Sequence, residues 1–170
     1  MNQPRARLDD LWLAGLVVGA DQATKMLVRA MLTLHASTTI VPGFLDLTHV
    51  HNTGAAFGIL NEADFPFKTP LLIAVAIVAL VSIGVYATQL PAHQRLARIG
   101  LALVLGGAVG NLIDRATTGY VLDFVDVYWR NHHFWAFNVA DSAITIGVTA
   151  IMLDLLLARG AARGEVTPTS

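Results

Sequence analysis

The sequence predicts a mainly α, polytopic membrane protein, with four transmembrane helices, a small extracytoplasmic β element and an interfacial loop. Three observations carry this. Hydrophobic residues make up 55% of the 170 and charged residues only 14%, against about 45–50% and about 25% in a soluble domain. Mean hydropathy is +0.59. The apolar residues are gathered into long runs, and a bilayer-crossing helix needs roughly 20 of them. This composition excludes disorder. With a net charge of −1 there is no basic field to hold nucleic acid. Without cysteine there are no disulfides, thiolate metal sites or thiol nucleophiles.

The spans are expected at about 11–31, 70–89, 96–113 and 137–158, with a mobile tail over 160–170, in one integral membrane domain. Over 71–87 only Ser82 and Tyr86 carry a polar side-chain atom, so the second span is the cleanest. The third carries Arg98 near its start and Asn111 near its end, and the fourth carries Asp141 and Asp154. In the first, a ten-residue apolar run over 11–20 is followed by Asp21, Gln22 and Lys25. Arg5, Arg7 and Val18-Gly19-Ala20 around that run also fit a cleaved signal peptide. Three further spans weigh against it, so the helix is extended to Met31. Asp21 and Lys25, four apart, then share a face and can pair, turned away from lipid.

Four spans put both termini on one side. Six Lys/Arg residues at the termini and the 90–98 loop, against five in or near the other loops, slightly favour cytoplasmic termini. All aromatic residues except Trp12 and Tyr86 fall within 44–67 or 120–137. Aromatic rings favour the membrane–water interface, so these two connections are expected at the outer surface. The partial alternation over 44–51, between Pro42-Gly43 and Asn52-Thr53-Gly54, predicts a short hairpin or sheet. The connection over 115–136 is expected to hold a short interfacial helix. Gly106 and Gly110, four apart in an apolar span, read as close helix packing.

Asp21, Asp114, Asp123, Asp126 and Asp141 gather near the outer ends of the spans. Two carboxylates held together share one proton, and such a pair can deprotonate water while protonating a carbonyl oxygen. Asp141 opens the fourth helix, where an anion is stabilised, and Asp123 lies 18 residues earlier. On spacing alone, a helix cap and a solvated loop charge explain them as well. His49, His51, His132 and His133 are a weaker zinc candidate, with no His-Glu-x-x-His pattern, and no serine sits in a Gly-x-Ser-x-Gly turn. Asn111 and Asn138 either satisfy backbone groups or bind a polar substrate. Arg115 either pairs with Asp114 or donates to substrate carbonyls.

The chain resembles the lipoprotein signal peptidase family, also called signal peptidase II. Five blocks carry the likeness: Asp21-Gln22-Ala23-Thr24-Lys25, Asn52-Thr53-Gly54-Ala55-Ala56-Phe57, Gly110-Asn111-Leu112-Ile113-Asp114-Arg115, Val121-Leu122-Asp123-Phe124 and Phe137-Asn138-Val139-Ala140-Asp141-Ser142. They stand in the family's order across nearly the whole chain. One departure is Trp135, where the family often carries proline. The resemblance implies an aspartyl endopeptidase of the bacterial plasma membrane that cuts prolipoproteins just before a diacylglyceryl-modified cysteine. It implies Asp123 and Asp141 as catalytic residues, and Asn52, Gly54, Asn111, Asp114, Arg115 and Asn138 as substrate-binding ones. By the same resemblance Asp21 and Lys25 are expected to support the site from the first helix. The expected partners are lipid-modified prolipoproteins and membrane lipids, and the protein is expected to be a monomer with no metal or other cofactor. The alternatives weighed from the residues are a small proton-coupled transporter and a membrane assembly subunit.

Overall fold

In the computed structural model, the four apolar runs are helices α1 (Leu8–Met31), α2 (Lys68–Gln89), α3 (Arg95–Thr118) and α4 (Val139–Gly164). The structure describes residues 8–54, 60, 63, 65–91, 93–130 and 132–164. All four helices are long and apolar enough to cross a membrane, the first over Leu11–Met31. The protein is a multi-pass membrane protein.

Helix α3 is the centre of the bundle, packed on α1, α2 and α4. Its small residues permit this. A Cβ on Gly106 would lie 2.7 Å from the Ala14 carbonyl of α1, and one on Gly100 would lie 2.6 Å from the Gly147 carbonyl of α4. Gly107 faces Ala140 and Gly110 faces the Asp21 carboxylate, so the expected Gly106/Gly110 pair packs chiefly on α1, while Gly100 and Gly107 pack on α4. Helix α2 packs on α3 and has no buried residue. Its exposed Val75, Val78, Val81 and Val85 suit a lipid surface.

Two expected boundaries move. Helix α3 runs five residues past 113 and stops at Gly119, whose φ of 83° takes the left-handed cap conformation that glycine adopts without strain. Helix α4 runs to Gly164, beyond the expected end at 158 and into the expected tail, of which residues 165–170 lie outside the described residues.

Among the described residues, four antiparallel strands form one sheet in the order β1 (Ser37–Val41), β2 (Leu45–Asn52), β3 (Val121–Trp129) and β4 (His132–His133). The first pair is the expected hairpin. The interfacial helix expected in the second connection is instead β3. Its run Val121-Leu122-Asp123-Phe124-Val125 is β-branched and aromatic, a composition that favours strand. Leu122 and Phe124 point one way, onto Val28 of α1. Strand alternation turns Asp123, between them, to the other face. Pairing of Asn52 with Val121 and Val50 with Asp123 sets the end of β2 beside Asp123. Phe44, Phe67, Trp129, Phe134 and Trp135 are exposed around this end of the bundle.

Candidate active site

The polar residues of five segments meet where the bundle joins the sheet. At the base, Lys25 Nζ lies 2.8 Å from Asp21 Oδ2 and 2.9 Å from Asp114 Oδ2, with Lys25 and Asp21 fully buried. The predicted i, i+4 pair of α1 is therefore a triad that includes α3. Asp21 Oδ1 also accepts the Ala140 N–H at 3.0 Å, tying α1 to the first turn of α4. Asp114 accepts from the Leu122 N–H at 3.2 Å and from Arg29 at 3.4 Å. Expected to line a substrate pocket, it is buried and occupied by these partners, and it holds the start of β3.

Above the triad lie two asparagines. Asn111 Oδ1 accepts from Lys25 Nζ at 3.1 Å, while its Nδ2 donates to Asp141 Oδ1 at 2.8 Å. Asn138 Nδ2 donates to Asp123 Oδ1 at 2.7 Å. Asn138 also exchanges bonds with Asp141: its Oδ1 accepts the Asp141 N–H at 2.9 Å, and its own N–H donates to Asp141 Oδ2 at 3.3 Å. This reciprocal arrangement, three residues apart, is a capping box on α4. The cap reading of Asp141 and its proximity to Asp123 thus hold together, because the cap residue is also the bridge. Asn138 thus satisfies a backbone N–H, one of its two sequence alternatives, and both asparagines also serve the two carboxylates, which neither alternative contained.

From the sheet side, Asn52 Nδ2 donates to Asp123 Oδ2 at 2.9 Å, and Asn52 Oδ1 accepts the Gly54 N–H at 2.9 Å. Arg115 Nη2 donates to the Gly54 carbonyl at 2.8 Å. Adjacent residues on a helix do not face each other, so Arg115 reaches the strand end while Asp114 turns to Lys25. All ten sequence-predicted site residues thus belong to one bonded assembly. The last three residues of the Asn52–Phe57 block lie outside the described residues.

Asp123 is 2% exposed. Burial, then the negative charge of Asp141, push its carboxyl up to about 7, against the hydrogen bonds of Asn52 and Asn138 and the charge of Lys25. This is the expected behaviour of two carboxylates sharing a secluded site.

Other candidates lie apart. Asp126 accepts from His133 Nδ1 at 2.9 Å. His49 Nδ1 bonds the Leu32 carbonyl at 2.9 Å, and His51 stacks on Tyr120 with ring centroids 3.5 Å apart. Burial and the charges of His49, His35 and Arg29 hold the His51 imidazole below its usual range. Among the described residues, no three His, Asp or Glu side chains gather to hold a metal ion.

Sequence reasoning missed two members. Gln22 Nε2 donates to Asp21 Oδ2 at 3.1 Å and to the Gly110 carbonyl at 3.2 Å. Arg29 continues the Asp21–Lys25 row by one more i, i+4 step, a spacing that marks it in hindsight.

Fold and site together define a polytopic membrane protein with a pair of linked carboxylates at one end of a helical bundle. The profile of the family described as signal peptidase (SPase) II matches residues 13–157. A lipoprotein signal peptidase of Geobacter metallireducens is 49% identical over 136 residues, 80% of this chain and 83% of that protein. One from Symbiobacterium thermophilum is 47% identical over 145 residues, covering 85% of this chain and 92% of the relative. A solved structure titled a bacterial membrane enzyme, determined by the in meso method at 2.3 Å, superposes with a TM-score of 0.83 at 29% identity, covering 100% of this chain and 99% of its own. The chain belongs to the signal peptidase II family, and it is a peptidase.

Proposed function

We propose that this chain is an aspartyl endopeptidase of the bacterial plasma membrane, acting as a monomer on diacylglyceryl-modified prolipoproteins. It frees the signal peptide by cutting just before the lipidated cysteine. The relatives' name, lipoprotein signal peptidase, supports the substrate class. The observation that carries the chemistry is Asn138, bonded at once to Asp123 and Asp141.

Asp123 holds the proton at rest, in keeping with its carboxyl lying near 7. Asp141 is the base, at a helix N-terminus that favours its anion and facing the Asn111 amide. A water between them gives a proton to Asp141 as its oxygen adds to the scissile carbonyl carbon. Asp123 gives its proton to the carbonyl oxygen. The tetrahedral species then collapses: the C–N bond breaks, the proton on Asp141 passes to the leaving nitrogen of the cysteine, and a hydroxyl proton returns to Asp123. No metal, other cofactor or covalent intermediate takes part.

Asn52, Gly54 and Arg115 orient the substrate backbone, while Asn111 and Asn138 hold the two acids. Asp21, Lys25 and Asp114 support them from below. The termini are cytoplasmic and the site faces outward, where the scissile bond of a lipid-anchored substrate must lie. The test is cleavage of a lipid-modified precursor in detergent. Asp123→Asn and Asp141→Asn should each lower the rate by about 10²- to 10⁴-fold. Full activity in either variant overturns the assignment.

A further inference from the structure

Lys68 is the first residue of α2, and no acidic residue accompanies it in that first turn. A helix N-terminus repels a cation, so helix stability does not account for an ammonium there. Its bonds do. Lys68 Nζ donates to Thr53 Oγ1 at 3.0 Å and to the Ala63 carbonyl at 2.9 Å. Thr53 lies between Asn52, which donates to Asp123, and Gly54, whose carbonyl is held by Arg115. Gly54 N–H in turn fixes the Asn52 side-chain oxygen, and that leaves the Asn52 amide hydrogens aimed at Asp123. Two cations from different helices therefore grip successive residues of the turn that presents Asn52.

We propose that Lys68 is a positioning residue, acting through Thr53 and Asn52 on Asp123. This rests on the two-aspartate reading above. The bond from Asn52 favours the ionised form of Asp123. A loosened turn removes that donor, so Asp123 keeps its proton to higher pH. The charge of Lys68 is not itself the agent; the held turn is.

The test compares full-length wild type, Lys68→Met, Lys68→Arg and Thr53→Val in detergent, measuring kcat and kcat/KM against pH on a lipid-modified precursor. Lys68→Met should lower kcat about tenfold and move the alkaline limb of kcat/KM up by about half a unit to one unit. Lys68→Arg should restore both. Thr53→Val, which keeps size and charge balance, should move the limb the same way, and it decides the matter if Lys68→Met does not fold. An unmoved limb in Lys68→Met and Thr53→Val overturns the proposal, as does failure of Lys68→Arg to differ from Lys68→Met. Asp123→Asn in the same assay separates the two readings. Wild-type cleavage there defeats the aspartate pair itself. An inactive Asp123→Asn with unmoved limbs defeats the role of Lys68 alone.

Discussion

The side-chain amide of Asn138 donates to Asp123 Oδ1 across 2.7 Å. The same residue caps α4 through Asp141, so the fold's N-terminal cap and the link between the two acids are one feature. Helix capping and the placement of the two carboxylates are thereby coupled through one side chain.

Asn138→Asp separates these two roles. Aspartate caps a helix as well as asparagine does, so α4 should persist and the protein should stay folded. The donor facing Asp123, however, becomes an oxygen of a third carboxyl group. Cleavage of the precursor should fall by about 10²-fold or more, with circular dichroism unchanged. A wild-type rate would mean that the amide of Asn138 has no part in holding the pair.

The pH profile follows from Asp123. Its carboxyl is raised from the ordinary 3.8 to about 7, so it is protonated below that pH and ionised above it. The proposed reaction needs one proton on the pair, and rising pH removes it. Accordingly kcat/KM should fall about tenfold per unit well above pH 7, hold just below it, and fall again at more acid pH, where a protonated Asp141 can no longer take a proton from water. A rate that keeps rising through that region would contradict a protonated Asp123 as the acid.

Lys25→Met leaves Asp21 and Asp114 buried without the ammonium that lies within 2.9 Å of both. Breaking a buried ion pair from one side costs about 3–5 kcal/mol. Thermal unfolding in detergent should show that loss. Replacing all three together, by Asp21→Asn, Lys25→Met and Asp114→Asn, should recover much of it, since no charge of the triad is left and Arg29, which then loses Asp114, is part-exposed. A single mutant as stable as wild type would show that the triad is not what joins α1 to α3.

Three helices were legible because each is an apolar run of bilayer length; the first has a ten-residue run only, extended on the strength of the other three, and Asp21 and Lys25 marked the buried face of α1 by their spacing. The last turn of α3 was hidden: Asp114, Arg115, Thr117 and Thr118 look like loop residues. Yet both threonine hydroxyls fold back onto carbonyls at the helix end, Ile113 for Thr117 and Asp114 for Thr118, and so need no solvent. Strand β3 was misread because its partner, β2, lies about 70 residues earlier, and Asp123 and Asp126 break its apolar pattern. The site's residue types were readable, since charges in apolar spans are rarely idle. Their partners were not. Which cation Asp114 meets, Lys25 or the adjacent Arg115, depends on how three helices are rotated, and one sequence does not carry that.

Helix spacing supplies the last prediction. Gly15 and Gly106 are both helical glycines, yet a Cβ at Gly15 meets nothing within 4 Å, whereas one at Gly106 lies 2.7 Å from the Ala14 carbonyl and 2.8 Å from the Val17 side chain. Alanine favours a helix interior over glycine by about 1 kcal/mol, so Gly15→Ala should leave the melting temperature equal or raised. Gly106→Ala must push α1 from α3, at a cost of about 1–3 kcal/mol for overpacking. It should melt earlier. Because α1 carries Asp21 and Lys25 beneath the two acids, it should also cleave precursor more slowly. Identical melting temperatures for the two variants would show that the α1–α3 seam yields freely, and that close approach at Gly106 does not position the site.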